Sequence, residues 1–290
     1  VYGFWSASHN IGEALTFIFT SFIVGALGWQ WGFMSAACLG AIGVALIFTF
    51  LKPAPPEWKA GLPGSTSQPK DSTVKHKQAE VLKNPMIWML ALASAFMYIS
   101  RYAVNSWGVY YFEIEKSYNI VTASTLVSVS SVCGIVGTVF SGLISDKMFR
   151  SNRTIPACLS SLLNLAALAL FLFGPRQCEI LDIISMILFG ISIGILLCFL
   201  GGLMAIDIAP KEATGAAVGV IGIASYAAAG LQDVVSGFLI ESRKAIVDGN
   251  PVYDFSAIRI FWLSAALVSL LFLLIIWGAR KKHVSSNIHY

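Results

Sequence analysis

Eight long apolar stretches, each able to cross a lipid bilayer, leave this 290-residue chain almost no choice of fold. A helix needs about 20 mainly apolar residues to span the hydrocarbon core. The qualifying segments are Tyr2–Leu27, Trp31–Leu51, Met86–Phe112, Ile120–Ser145, Thr154–Gly174, Leu181–Ile208, Ala213–Ile240 and Ile258–Ala279. In lipid every backbone amide must be satisfied from within, which admits only helices and closed barrels. Runs this long, without two-residue alternation, predict helices. The expected fold class is therefore all-α, a polytopic membrane protein with about eight transmembrane helices.

Composition agrees. The chain is 57% hydrophobic and 12% charged, against about 25% charged residues in soluble domains. Thirteen of the nineteen Lys and Arg fall in loops that eight crossings place on one side. Five fall on the other side, and one, Arg101, lies inside a span. The positive-inside rule makes the first side cytoplasmic, which puts both ends of the chain in the cytoplasm. The net charge of +4 reflects this asymmetry, and no nucleic-acid partner is expected. The five cysteines lack metal-ligand or redox spacing and read as small packing residues. No phosphate-cradling glycine loop and no nucleophile–base pair is visible, so neither an enzyme nor a cofactor is expected.

Arg101 is the residue that demands explanation. A cation at mid-span costs roughly 2.5–3.5 kcal/mol on insertion scales, so it normally faces a cavity or a partner. Tyr98, Tyr102, Asn105, Trp107, Tyr110 and Tyr111 surround it with polar-edged aromatics. The simplest reading is that Arg101 holds an anion inside a pathway. His9 can bind a phosphate oxygen or serve as a packing residue. Asp233 interrupts another apolar helix; it can neutralise Arg101, meet a sugar hydroxyl, or sit at the outer interface. The segment Gly142–Arg153 carries Asp146, Lys147, Arg150 and Arg153 at the cytoplasmic side. It forms a breakable charge network or ordinary positive-inside decoration. Small residues at Gly134–Thr138–Gly142, Gly190–Gly194 and Gly215–Gly219 predict close helix contacts, static or sliding.

Residues His9-Asn10-Ile11-Gly12, Ser100-Arg101-Tyr102, the Ser145–Arg153 loop and Ile208–Gly215, in that order and spacing, resemble the organophosphate:phosphate antiporter family of the major facilitator superfamily. The loop resembles that superfamily's gating motif in its second-half copy. The resemblance implies a twelve-helix fold of which this chain covers helices five to twelve. Residues 1–51 would be the last two helices of an N-terminal six-helix bundle. Residues 52–85 would be a cytoplasmic linker, 86–279 the C-terminal bundle and 280–290 the tail. Arg101 matches the family's essential arginine of the seventh helix, His9 its substrate-binding histidine and Tyr98 a tyrosine beside the site. The expected substrate-binding set is Arg101, His9, Tyr98, Asn105, Trp107, Tyr110 and Asp233, and the expected gating set is Asp146, Lys147, Arg150 and Arg153.

The resemblance further implies exchange of a phosphorylated sugar or glycerol 3-phosphate for inorganic phosphate by alternating access, in a bacterial inner membrane. The alternative on the same scaffold is a membrane sensor of external sugar phosphate that signals to a kinase. The family's second essential arginine lies in its first helix, so the chain is expected to need four helices before Val1 to transport. Two departures stand out: Ser131 where members often carry glutamate, and Glu13 where glycine usually follows the histidine motif.

Overall fold

A computed structural model describes residues 2–50, 71–149, 152–247 and 250–286. The helices are α1 (Tyr2–Leu27), α2 (Trp29–Phe50), α3 (Asp71–Lys83), α4 (Pro85–Ile114), α5 (Ile120–Met148), α6 (Thr154–Phe173), α7 (Glu179–Ile208), α8 (Thr214–Ser242) and α9 (Ser256–Ser286). Among the described residues, seven helices are long and apolar enough to cross a membrane. The remaining expected span, Tyr2–Leu27, is a helix of 26 residues whose side chains are described only in part. The chain divides into two compact units, residues 11–76 and the rest.

In the smaller unit, α1 turns into α2 at Gly28, whose φ of +93° is left-handed backbone that an L side chain would strain. Gly32 lies so close to α1 that a methyl there would sit 2.6 Å from Val24.

In the larger unit, α4 is the central strut, packed on α8 and α9 and more lightly on α5. It starts with a built cap. The Asn84 side chain accepts from the Met86 N–H at 2.9 Å, and Pro85 occupies the first turn where its missing donor does no harm. Buried hydroxyls and amides tie α4 to its neighbours: Ser94 to Ser225 on α8 (2.8 Å), Ser269 on α9 to the Ala93 carbonyl (2.8 Å), and Asn164 on α6 to Ser100 (3.1 Å). Lipid offers no hydrophobic drive between helices, so such bonds and close packing supply association. Around them lies the core of Ile87, Met97, Phe112, Leu168, Phe171 and Trp262.

The tightest seam joins α5 to α7. A methyl at Gly190 would fall on the Ser130 carbonyl, one at Gly194 on the Gly134 carbonyl, and one at Gly137 on the Ile191 carbonyl. Thr138 donates across the seam to the Gly194 carbonyl at 3.1 Å. Two of the three small-residue repeats therefore interlock, while Gly142, Gly215 and Gly219 have open space around them among the described residues. Overpacking costs about 1–3 kcal/mol, occasionally more, where the neighbour is backbone that cannot yield. Gly190→Ala is expected to lower the folded yield and unfolding temperature in detergent, measured by fluorescence-detected gel filtration. Gly219→Ala should stay near the parent protein; equal behaviour of the two would contradict the close-approach account.

Three local features add to the sequence expectation. Part of the segment read as a linker, residues 71–83, forms α3, and Val81 within it is buried against the larger unit. Lys77 of α3 reaches the Glu212 carboxylate at 3.1 Å. Among the described residues two π-helical turns occur, Ile144–Met148 closing α5 and Phe199–Leu203 inside α7 around Gly201 and Gly202; such turns are rare and concentrate at functional places. Between α8 and α9 a short antiparallel hairpin pairs β1 (Lys244–Val247) with β2 (Asn250–Tyr253). Its base is closed by Asp254. That carboxylate accepts from the Ser256 N–H at 2.8 Å and from Arg243 at 3.1 Å, contacts that hold its pKa below the usual range.

Candidate functional site

Arg101 sits at the middle of α4 and is 3% exposed. Its guanidinium carbon lies 5.8 Å from the ring centroid of Tyr98, one turn earlier on the helix, and 5.6 Å from that of Tyr102, the next residue. The two rings stack at 6.0 Å, and Tyr226 of α8 meets Tyr98 edge-on at 5.4 Å. Arg above an aromatic face is stabilised by the ring quadrupole, more so when desolvated. The hydrogen bonds of Ser94, two turns before Arg101, and of Ser100, immediately before it, anchor this part of α4. Asn105 is half-buried one turn beyond Arg101.

Two further expected site residues meet each other. Trp107 Nε1 donates to Asp233 Oδ1 at 3.2 Å, joining α4 to α8 across 126 residues of chain. The Trp107 ring also packs edge-on against Tyr110 at 6.2 Å, and Tyr110 touches Tyr253 of the hairpin at 5.9 Å. Among the described residues Asp233 forms no salt bridge, so its partner is the indole and not Arg101. Asp233 lies seven residues past Tyr226 on α8, about 10 Å along the axis. The half-buried carboxylate is thus placed nearer the C-terminal end of α8 than Tyr226 is.

The side chain of His9 and the whole of Arg150 lie outside the described residues. Of the expected gating set, Asp146 and Lys147 are exposed in the π turn that ends α5. Arg153 donates to Asp207 at 2.6 Å and to the Leu203 carbonyl at 3.0 Å, binding the α5–α6 loop to α7 just past its π turn. Asp207, which supplies the acid for Arg153, was absent from the expected set.

A second charged cluster escaped the sequence reading altogether. Lys116 and Asp182, both 1% exposed, form a buried ion pair between the end of α4 and the start of α7. Tyr118 donates to the same carboxylate at 2.9 Å; burial, together with that bond, pushes its hydroxyl pKa up. The Lys116 ammonium also lies 5.7 and 5.6 Å from the rings of Phe112 and Phe171. Alongside, Glu115 accepts from Arg176 and Arg259, each at 3.0 Å. Lys116, Arg176 and Arg259 are among the five cations that charge counting places on the side opposite the basic loops, and such counting carries no information on pairing. The available signal was Asp182, two residues into an apolar run.

The description of the Major Facilitator Superfamily matches residues 1–232. The chain is 30% identical over 243 residues to the membrane sensor protein UhpC of Escherichia coli K12, covering 78% of this chain and 54% of that one. It is 29% identical to a probable hexose phosphate transport protein of Chlamydia pneumoniae, covering 98% and 64%. It is 28% identical to the glycerol-3-phosphate transporter of Bacillus subtilis, covering 97% and 64%. The chain therefore spans about half to two-thirds of the length of these relatives. Among solved structures, the proton:xylose symporter XylE superimposes with a TM-score of 0.63 at 14% identity, over 96% of this chain and 63% of that one.

Proposed function

Because the chain belongs to the Major Facilitator Superfamily, we propose that it forms the phosphate-holding part of a secondary antiporter that exchanges a sugar phosphate or glycerol 3-phosphate for inorganic phosphate. The observation that carries this reading is the buried guanidinium of Arg101, 3% exposed at mid-helix beside two stacked tyrosine rings. A cation is expensive there and normally faces a cavity or a partner; we read a substrate anion as what this one serves. A planar fork suits a phosphoryl group, with two parallel charge-assisted bonds. The names of the relatives support the same class of cargo.

The residues above Arg101 fit the organic part of such a cargo. Asp233 repels phosphate and accepts hydroxyls, and its indole partner Trp107 offers an apolar face. A sugar phosphate would then enter phosphate-first toward Arg101, with hydroxyls left near Asp233. His9 would add a hydrogen bond to the phosphoryl group. At the other end, the Arg153–Asp207 bridge is a contact that opens or holds as the helices rock. Bound anion lowers the cost of a closed state around the cations, so rocking becomes a shift in population between two conformations.

The relative named a membrane sensor motivates a second reading, binding without exchange. Counterflow in vesicles holding the full-length protein separates the two. Labelled inorganic phosphate should leave loaded vesicles when glucose 6-phosphate or glycerol 3-phosphate is added outside. Binding with no accelerated efflux would favour the sensor, and neither binding nor efflux would remove the organophosphate assignment.

A further inference from the structure

We propose that α6 and α9 form a binding site for one anionic phospholipid, its acyl chain in a groove between the helices and its headgroup at Arg280. The groove measures about 250 Å³ and is lined by Ile155, Leu159 and Leu162 on α6 and by Leu270, Leu274 and Trp277 on α9. On each helix these positions repeat at three- and four-residue steps, so they form one continuous face. The groove runs about 10 Å along the helices, from Ile155 to Leu162. Leu159 and Leu162 are each 54% exposed. Cys158 completes the lining, and no polar surface faces the groove, which excludes a sugar phosphate as occupant and suits a hydrocarbon chain.

Charge at one end of the groove identifies which lipid. Trp277 is the lining residue nearest in sequence to Arg280, and indoles favour the headgroup boundary. Arg280 follows one turn later and donates to the Thr154 hydroxyl at 3.3 Å, beside Ile155. Thr154 is a neutral partner; Asp207 attracts Arg280 at longer range, but among the described residues no salt bridge closes on Arg280. The Asp207 carboxylate at this end is engaged by Arg153. Lys281 and Lys282 follow in sequence. The loops at this end are the basic ones, assigned to the cytoplasmic leaflet, whose anionic lipids attract such residues. A phosphodiester at Arg280 supplies the missing anion while its chain fills the apolar groove. A zwitterionic lipid supplies the chain but adds a cation beside Arg280.

The test is native mass spectrometry of the full-length protein released from mixed phosphatidylglycerol and phosphatidylcholine. The parent protein should retain phosphatidylglycerol about fivefold over phosphatidylcholine, the ratio that about 1 kcal/mol per basic residue corresponds to. Arg280→Gln should bring that ratio to about one, and Arg280→Lys should keep it, since point charge and not the fork is needed here. Leu274→Trp, which fills the groove, should lower retention of both lipids. Equal retention of the two by the parent protein, or a ratio indifferent to Arg280→Gln, overturns the proposal. Displacement of phosphatidylglycerol by water-soluble glycerol phosphate would mark a free-anion site and overturn it as well. So would a groove covered by a second copy of the chain, read as dimer peaks that carry no lipid.

Discussion

Arg101→Lys is expected to abolish most phosphate exchange while leaving the protein folded. The charge is kept, so the helix still carries one cation at the same depth and the unfolding temperature should move little. What is lost is geometry. An ammonium is a strongly hydrated point charge and cannot bind two phosphoryl oxygens in one plane. It also forfeits the flat contacts with the Tyr98 and Tyr102 rings, now at 5.8 and 5.6 Å. Truncating one partner of a buried charge-assisted pair typically costs 2–5 kcal/mol, so the exchange rate at low substrate should fall by about 30-fold or more. Arg101→Gln should fall further because the charge goes too. The measurement is initial-rate counterflow with the full-length protein, beside a thermal melt of each variant. Near-parental exchange by Arg101→Lys would remove the residue from the phosphate site. A large drop in melting temperature would recast it as a structural residue.

The second large effect concerns stability. Lys116→Met alone, or Asp182→Leu alone, should destabilise the protein by about 3–5 kcal/mol, because each leaves the other charge buried and unpaired. Both members are 1% exposed, so water cannot compensate. The double replacement should be less harmful than either single one, since it removes both desolvation penalties at once. Its remaining cost is the Tyr118 hydroxyl, which now donates to Asp182 at 2.9 Å. Unfolding midpoints in detergent for the four-member cycle give the coupling directly. Additive losses would mean that the two side chains do not depend on each other.

This pair also shows where sequence reasoning stops. Lys116 and Asp182 lie 66 positions apart, and Trp107 and Asp233 126 apart. Each was visible as a residue type, and the unusual depth of Arg101 and Asp233 was legible from the apolar runs around them. Who meets whom was not. Arg153 illustrates the same gap. Its loop was recognisable as a charged junction, yet its partner Asp207 comes from the end of α7, past a π turn that no periodicity announces. The hairpin Lys244–Tyr253 and the helix Asp71–Lys83 went unread because short polar segments outside the bilayer are under no single dominant constraint.

The spans themselves were decided within the sequence. Lipid leaves a backbone no partner but itself, so a long enough apolar run must be helix, and its ends fall where polar residues begin. Thus Thr154–Gly174 was expected and Thr154–Phe173 is found. Which faces of those helices turn inward was settled only by the tertiary structure. Glycines 190 and 194 let α7 approach α5 to backbone contact, and the buried serines orient α4. Hydrophobicity acts residue by residue and is written locally. Hydrogen bonds, ion pairs and ring contacts need two groups at a set distance, and that distance exists only after the helices have packed.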